Sequence, residues 1–250
     1  MGKKRLTVEV LLAAAALPSP PPLAALLPDP TVQDVLTPDD PTLGRLLALL
    51  PQADLYLQDE VHIAFRPTLT RVWCRRGRRG QRLVHAPGQN AKKVGFGLVD
   101  WRDGWLDVAL ADKRAADPFC TQLRRAIARS KARGRVALVI LDTLGIHTPR
   151  RSKLLRTLLL EEEGEHLVLV YTPSYDPDSH RIEWLWAAFR DAVTHNHQRA
   201  TFEVLLQDAT AWAAALPAAE ILRHIGSSYA PLPPALEEQE EQEESLLDAA

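Results

Sequence analysis

Three carboxylates, Asp59, Asp142 and Glu183, stand where apolar runs stop or where a helix should begin. Asp59 closes Leu55-Tyr56-Leu57-Gln58, and Asp142 closes Val136-Ala137-Leu138-Val139-Ile140-Leu141. Glu183 follows the turn-rich stretch Pro173-Ser174-Tyr175-Asp176-Pro177-Asp178-Ser179. An apolar run that ends in an acid reads as a buried strand with a carboxylate at its tip. Three such acids, distant in sequence, can meet at one sheet edge and hold hard divalent cations, which favour carboxylate oxygen. Two ions about 3.5–4 Å apart can clamp the attacking and leaving oxygens of an in-line phosphoryl displacement. Each acid also has an ordinary reading. Asp142 can cap a turn, Asp59 can pair with an arginine, and Glu183 can favour the positive end of its helix. If Glu183 points elsewhere, Asp176 or Asp178 is the rival third acid.

The periodicity of the chain supplies elements to position them. Leu55 to Asp59 reads as a strand, Thr70 to Cys74 as a second, and Arg82 to His85 as a short partner beyond the turn Gly77-Arg78-Arg79-Gly80. Lys93 to Asp100 and Trp105 to Leu110 read as a hairpin around Trp101-Arg102-Asp103-Gly104. A helix is expected from Pro118 to Ala132, with Leu123, Ile127 and Ala128 on one face. Arg135 to Asp142 and His166 to Tyr171 are apolar on both faces, as covered strands are. Between them a helix should run from a Thr148-Pro149 start to Leu160. Ser179 or Asp178 can cap a helix whose stripe is Ile182, Leu185, Trp186, Phe189 and Val193, and a last helix spans Phe202 to Ala215. Antiparallel strands followed by alternating helices and strands make a mixed α/β sheet with helices on its faces. Sites in such sheets gather at the carboxyl ends of the parallel strands, where Asp142 sits.

The chain has 250 residues, 46% of them hydrophobic and 25% charged, as in an ordinary globular protein. Its two cysteines, Cys74 and Cys120, offer no disulfide framework and no thiolate zinc site, which fits a reducing, cytoplasmic compartment. Glu9 interrupts the apolar stretch after Met1-Gly2-Lys3-Lys4-Arg5, and no run approaches the ~20 apolar residues that cross a bilayer, so no membrane partner is expected. The net charge of −2 conceals segregation. Glu237, Glu238, Glu240, Glu241, Glu243, Glu244 and Asp248 crowd the last twenty residues, so the rest of the chain carries +5. Basic clusters at Arg71 to Arg82, at Lys92-Lys93, at Arg124 to Arg135 and at Arg150 to Arg156 suit a polyanion, although charge runs are commonly a solvated face. Three regions follow: a Pro/Ala/Leu-rich segment over 1–50, a core over 51–225, and a low-complexity acidic tail over 226–250.

The motifs occur in a telling order: Gln58-Asp59-Glu60, then Arg71-Val72-Trp73 and Gly77, then Val139-Ile140-Leu141-Asp142 with His147, then Tyr171-Thr172-Pro173-Ser174-Tyr175-Asp176-Pro177, then Ile182-Glu183-Trp184-Leu185-Trp186. Over residues 54 to 215 this succession resembles the catalytic domain of bacterial insertion-sequence transposases of the mariner superfamily, a DDE endonuclease domain. The resemblance implies an RNase H-like fold, with Asp59, Asp142 and Glu183 as catalytic and metal-binding acids for Mg²⁺ or Mn²⁺, two ions in all. It implies cleavage at transposon ends and transfer to target DNA, with scope for a homodimer and for nucleoid association when DNA is bound. Arg75, Arg76, Arg78, Arg79, Lys92, Lys93 and His147 are the candidate DNA contacts. Trp184 can stack on bases, whereas Trp186 lies on the apolar stripe and belongs to the core; His62, His195 and His197 read as structural or surface residues. The sequence departs from the family at His180-Arg181, where Asn-Pro is usual, and at Thr143, where Asn is usual. No recognition helix is evident in the first fifty residues, which keeps two alternatives open: an inactive or domesticated DNA-binding derivative, or another RNase H-like nuclease.

Overall fold

The computed structural model describes residues 52–73, 84, 88, 90–142, 144–172 and 180–226. The run that holds Asp59 becomes β1, Ala53–Ala64, longer than the five residues expected. It pairs antiparallel with β2, Lys92–Asp100, which turns through Gly104 at φ 71° into β3, Leu106–Ala111. Glycine suits that left-handed turn because it has no Cβ to clash. On the other side of β1 lie β4, Val136–Leu141, and β5, Leu167–Tyr171, both parallel to it, giving the order β3-β2-β1-β4-β5. All six β4 residues are buried, because this strand is flanked by neighbours and covered on both faces.

Helix α1, Ala116–Ala132, buries Phe119, Cys120, Leu123, Ala126 and Ile127 at helical spacing and ends at Gly134, whose φ is 65°. Helix α2 is shorter than expected. Thr148 does not cap it; its hydroxyl donates to the Gly145 carbonyl at 3.1 Å, within a 3-10 turn over Gly145–His147. The helix begins at Lys153, where the Ser152 hydroxyl accepts from the Leu155 N–H, and after Thr157 it widens into a π-helical turn, Leu158–Glu162. Helix α3, Ile182–Phe189, also continues into a π-helical turn, Arg190–Thr194. Helix α4, Phe202–Ala215, matches its expected span, and α5, Ala218–Gly226, is a further amphipathic helix that the sequence pattern did not set apart.

The sheet divides the core in two. One layer packs Leu55, Leu57, Val61 and Ile63 of β1 against Ile182, Leu185, Trp186 and Phe189 of α3, with Leu205 of α4 and Ile221 of α5. The other packs Tyr56 against Phe119, Leu123 and Ile127 of α1 and Leu155 of α2. Because strand side chains alternate, Asp59 falls with the α3 layer and Glu60 with the α1 layer. The expected strand at Thr70 to Cys74 is not formed over its described part. There the Asn196 amide takes both backbone groups of Thr70, at 3.1 and 2.9 Å, and only Thr68 bridges to His195. β1 pairs with β2 and β4, and the short partner expected for that segment at Arg82 to His85 lies, apart from Val84, outside the described residues.

Candidate active site

Parallel pairing of β1 with β4 sends both strands toward the same edge of the sheet. Asp142 follows the last residue of β4, and Asp59 lies two residues beyond the last residue of β1 paired with β4, Leu57. Helix α3 is seated beside them by Trp186, which is 1% exposed. The partner of Asp59 across the ladder is Gly97, and a Cβ at Gly97 would overlap the Trp186 ring. That bare stretch of backbone lets the indole lie against the strand. Glu183, three residues before Trp186, is thereby on the same helical face, and its charge is felt at Asp59.

Asp59 is 9% exposed, and its Oδ2 has no hydrogen-bond partner. Burial, then the charge of Glu183, with Glu60 and Asp142 adding, push its carboxyl up to about 8; a hydrogen bond to the backbone of Glu60 offsets only part of this. Asp142 behaves oppositely. Burial opposes its ionisation, but the hydrogen bond and charge of His147 and the Leu144 N–H outweigh that and hold it below the usual carboxylate range. Glu183 is partly exposed and meets Arg190 at 3.5 Å. Asp142 and Glu183 thus each lean on a cationic side chain, and among the described residues no three His, Cys, Asp or Glu groups are gathered tightly enough to enclose an ion. The donor set nevertheless fits a hard cation: all three are carboxylates, and at Asp59 a buried, unpartnered oxygen faces the negative charge that a divalent ion would relieve.

His147 is not at a surface where a phosphate could reach it. It is fully buried, with Nδ1 2.6 Å from Asp142 Oδ1 and Nε2 2.8 Å from Glu60 Oε1. Burial disfavours the charged ring, but the two carboxylates outweigh it and push the imidazole up to about 9. Glu60, quoted in the motif without a role, is therefore linked to Asp142 through His147; its signal was its place beside Asp59, on the opposite face. His180, at the departure from Asn-Pro, is also buried here. Its ring bonds to the backbone of Ile140, burial keeps its pKa low, and Nε2 has no partner.

The basic clusters separate into two kinds. Arg124, Arg125, Arg129, Lys131, Arg133 and Arg135 are paired with Glu162, Asp107, Asp100, Asp103, Asp54 and Glu163, so the charge of that run is met within the protein. Lys93 pairs with Asp112 at 2.6 Å, and Lys92 is exposed. Arg75, Arg76, Arg78 and Arg79, with Thr143, Asp176 and Asp178, lie outside the described residues. Arg150, Arg151, Lys153 and Arg156 are exposed. Trp184 is 46% exposed with Arg181 over its ring at 5.7 Å, while Trp186 is core as expected. A cavity of ≈ 860 Å³ between Thr70–Trp73 and Asp191–Arg199 is lined by none of the three acids. No helix among the described residues is long and apolar enough to cross a membrane.

The fold has counterparts in known proteins. The chain superposes on the Mos1 transposase paired-end complex with the left transposon end at a TM-score of 0.51 and 17% identity, over 71% of this chain and 52% of that one. The Mos1 mariner paired-end complex with Mn gives 0.52 and 17%, over 70% and 52%. At those identities the likeness speaks for the fold, and it agrees with the RNase H-like expectation. A curated relative, the insertion element IS630 uncharacterized 39 kDa protein of Shigella sonnei, is 29% identical over 153 residues, or 61% of this chain. The chain spans 42% of that relative's length. The family model described as DDE superfamily endonuclease matches residues 54–206, a stretch that runs from the start of β1 through all three acids into α4, and by that match the chain belongs to the DDE superfamily endonucleases.

Proposed function

We propose that residues 51–225 form the catalytic domain of an insertion-sequence transposase that cuts DNA at transposon ends and joins the freed ends to target DNA. Asp59, Asp142 and Glu183 would hold the divalent ions, Mg²⁺ or Mn²⁺, two in number. The observation that carries this reading is Asp59: a buried carboxylate with an unpartnered oxygen, pressed by Glu183, Glu60 and Asp142. Ions bound there would activate the attacking water and stabilise charge on the transferring phosphoryl group. The chain's own residues divide the remaining work. Asp59 would give up its proton, Asp142 is held ionised by His147, and Glu183 would leave Arg190 to serve as a ligand. The DNA complexes among the structural neighbours support DNA as the partner. The full-length chain should nick supercoiled plasmid carrying the element's ends with Mg²⁺ and not with EDTA. Asp142→Asn should fold normally and not nick. Joined products, beyond nicks, separate a transposase from another RNase H-like nuclease; nicking that survives in Asp142→Asn would sink the reading.

Arg150, Arg151, Lys153 and Arg156 make no ion pair among the described residues, and they follow directly on the Asp142–His147 segment. They are candidates to meet phosphates flanking the site. Replacing Arg150 and Arg151 together with alanine should weaken DNA binding uniformly across sequences. It should also reduce the slope of log affinity against log salt by about 2, close to one counterion per contact. Fluorescence anisotropy across a salt series measures this, and an unchanged slope places the DNA elsewhere.

A further inference from the structure

We propose that Glu60 and His147 form a buried strut that aims the Asp142 carboxylate at the metal, making both of them positioning residues; the inference rests on the metal-ligand reading of Asp142 given above. The strut crosses the sheet edge. Consecutive residues of β1 serve one centre from two sides: Asp59 directly from the α3 face, and Glu60 from the α1 face through an imidazole to Asp142. Glu60, 6% exposed, is itself fixed by Gln58 Nε2 at 3.1 Å and faces Arg114 at 3.7 Å. His147 cannot swing away. Its ring packs on Phe119 at 4.4 Å, its backbone carbonyl accepts the Tyr171 hydroxyl at 2.6 Å, and both ring nitrogens are engaged. At the far end, Asp142 Oδ1 receives both the ring, at 2.6 Å, and the Leu144 N–H, at 3.0 Å. One oxygen is thereby committed to the protein, and Oδ2 would be left to meet the metal. Asp142 follows the end of β4 on a connecting segment with its side chain half-exposed, so without the strut its carboxylate would be free to rotate. Outer partners of this kind orient ligands, and their loss typically weakens metal affinity 10–100-fold.

The test titrates Mn²⁺ alone into the full-length chain, following the loss of the free-ion electron paramagnetic resonance signal. Asp142→Asn sets the limit of ligand loss. Glu60→Gln and His147→Gln, each checked for fold by circular dichroism, should weaken Mn²⁺ about 10–100-fold. In DNA nicking they should lower kcat at limiting Mn²⁺ with KM for DNA unchanged, and excess Mn²⁺ should restore the rate, which a merely structural defect would not allow. If either single variant unfolds, the Glu60→Gln/His147→Gln pair removes both buried charges together and should show the same weakening. Wild-type Mn²⁺ affinity in the strut variants, with Asp142→Asn weakened, overturns the strut. Wild-type affinity in Asp142→Asn overturns the metal reading beneath it.

Discussion

Asp59→Asn is expected to abolish Mg²⁺-dependent nicking, by at least about 10³-fold or ~4 kcal/mol of barrier, while making the metal-free protein more stable at pH 8. Both effects follow from one environment. Burial and the charges of Glu183, Glu60 and Asp142 raise the Asp59 pKa to about 8, well above its value in the unfolded chain, near 3.9. A group whose pKa is raised on folding contributes stability that is fully present below the unfolded value and is lost as pH rises through the folded value. In EDTA the wild-type protein should therefore lose stability between about pH 4 and pH 8. The Asp59→Asn variant carries an amide there, which cannot ionise, so that part of the slope should disappear. Metal reverses the sign of the burden. A divalent ion needs the deprotonated carboxylate, so its binding displaces a proton near neutral pH. Mn²⁺ should accordingly raise the wild-type Tm more at pH 8 than at pH 6, and should raise that of Asp59→Asn little at either. Calorimetry in EDTA and in Mn²⁺, beside plasmid nicking, measures all three. Wild-type nicking by the variant would show that Asp59 is no ligand, and an unchanged pH slope in EDTA would show that it is no strained acid.

What was legible in the sequence had local causes. The apolar runs of β4 and β5 declared covered strands, and Trp101 to Gly104 declared a turn because glycine alone takes its φ cheaply. Asp59 and Asp142 stood out because an acid ending such a run is costly unless it has a use. The unread part depended on partners far along the chain. Thr148 looked like a cap, yet its hydroxyl found the Gly145 carbonyl and Ser152 took the capping role. The strand expected at Thr70 failed because Asn196, 126 residues on, claimed its backbone. The arginines from Arg124 to Arg135 looked like a polyanion surface because the acids that neutralise several of them, Asp54, Asp100 and Asp103, come from β1, β2 and the hairpin turn. His147 read as a candidate DNA contact for the same reason, since Glu60, which holds its ring inside, lies 87 residues before it.

The same arginine network sets the largest expected loss of stability. Asp54 enters β1 fully buried, paired with Arg135 at 2.9 Å, Arg133 at 3.3 Å and Arg102 at 3.5 Å. Arg133 also bonds Asp100, which is equally buried, and with Arg129 it holds Asp103, so three acids and four guanidiniums share one cluster at the end of the sheet away from Asp142. Removing Asp54 leaves Arg135 and Arg102 without a carboxylate in a largely buried place, while Arg133 keeps Asp100 and Asp103; losing one member of such a buried pair costs about 3–5 kcal/mol. Asp54→Ala should lose that much in urea denaturation, a large part of the ~5–15 kcal/mol available to a folded domain. Glu162→Ala is the matched control. It breaks a bidentate pair with Arg124, but both side chains are about two-fifths exposed, so the change should stay within about 1 kcal/mol. The consequence for the site is indirect. Asp54 pairs in register with Ala137 at the start of β4, and the same two strands carry Asp59 and Asp142 onward to the opposite edge. A frayed start should therefore lower thermal stability while Mn²⁺ affinity, measured well below the Tm, stays close to wild type. An equal fall in both would mean that the network sets the spacing of the acids as well as the stability of the sheet.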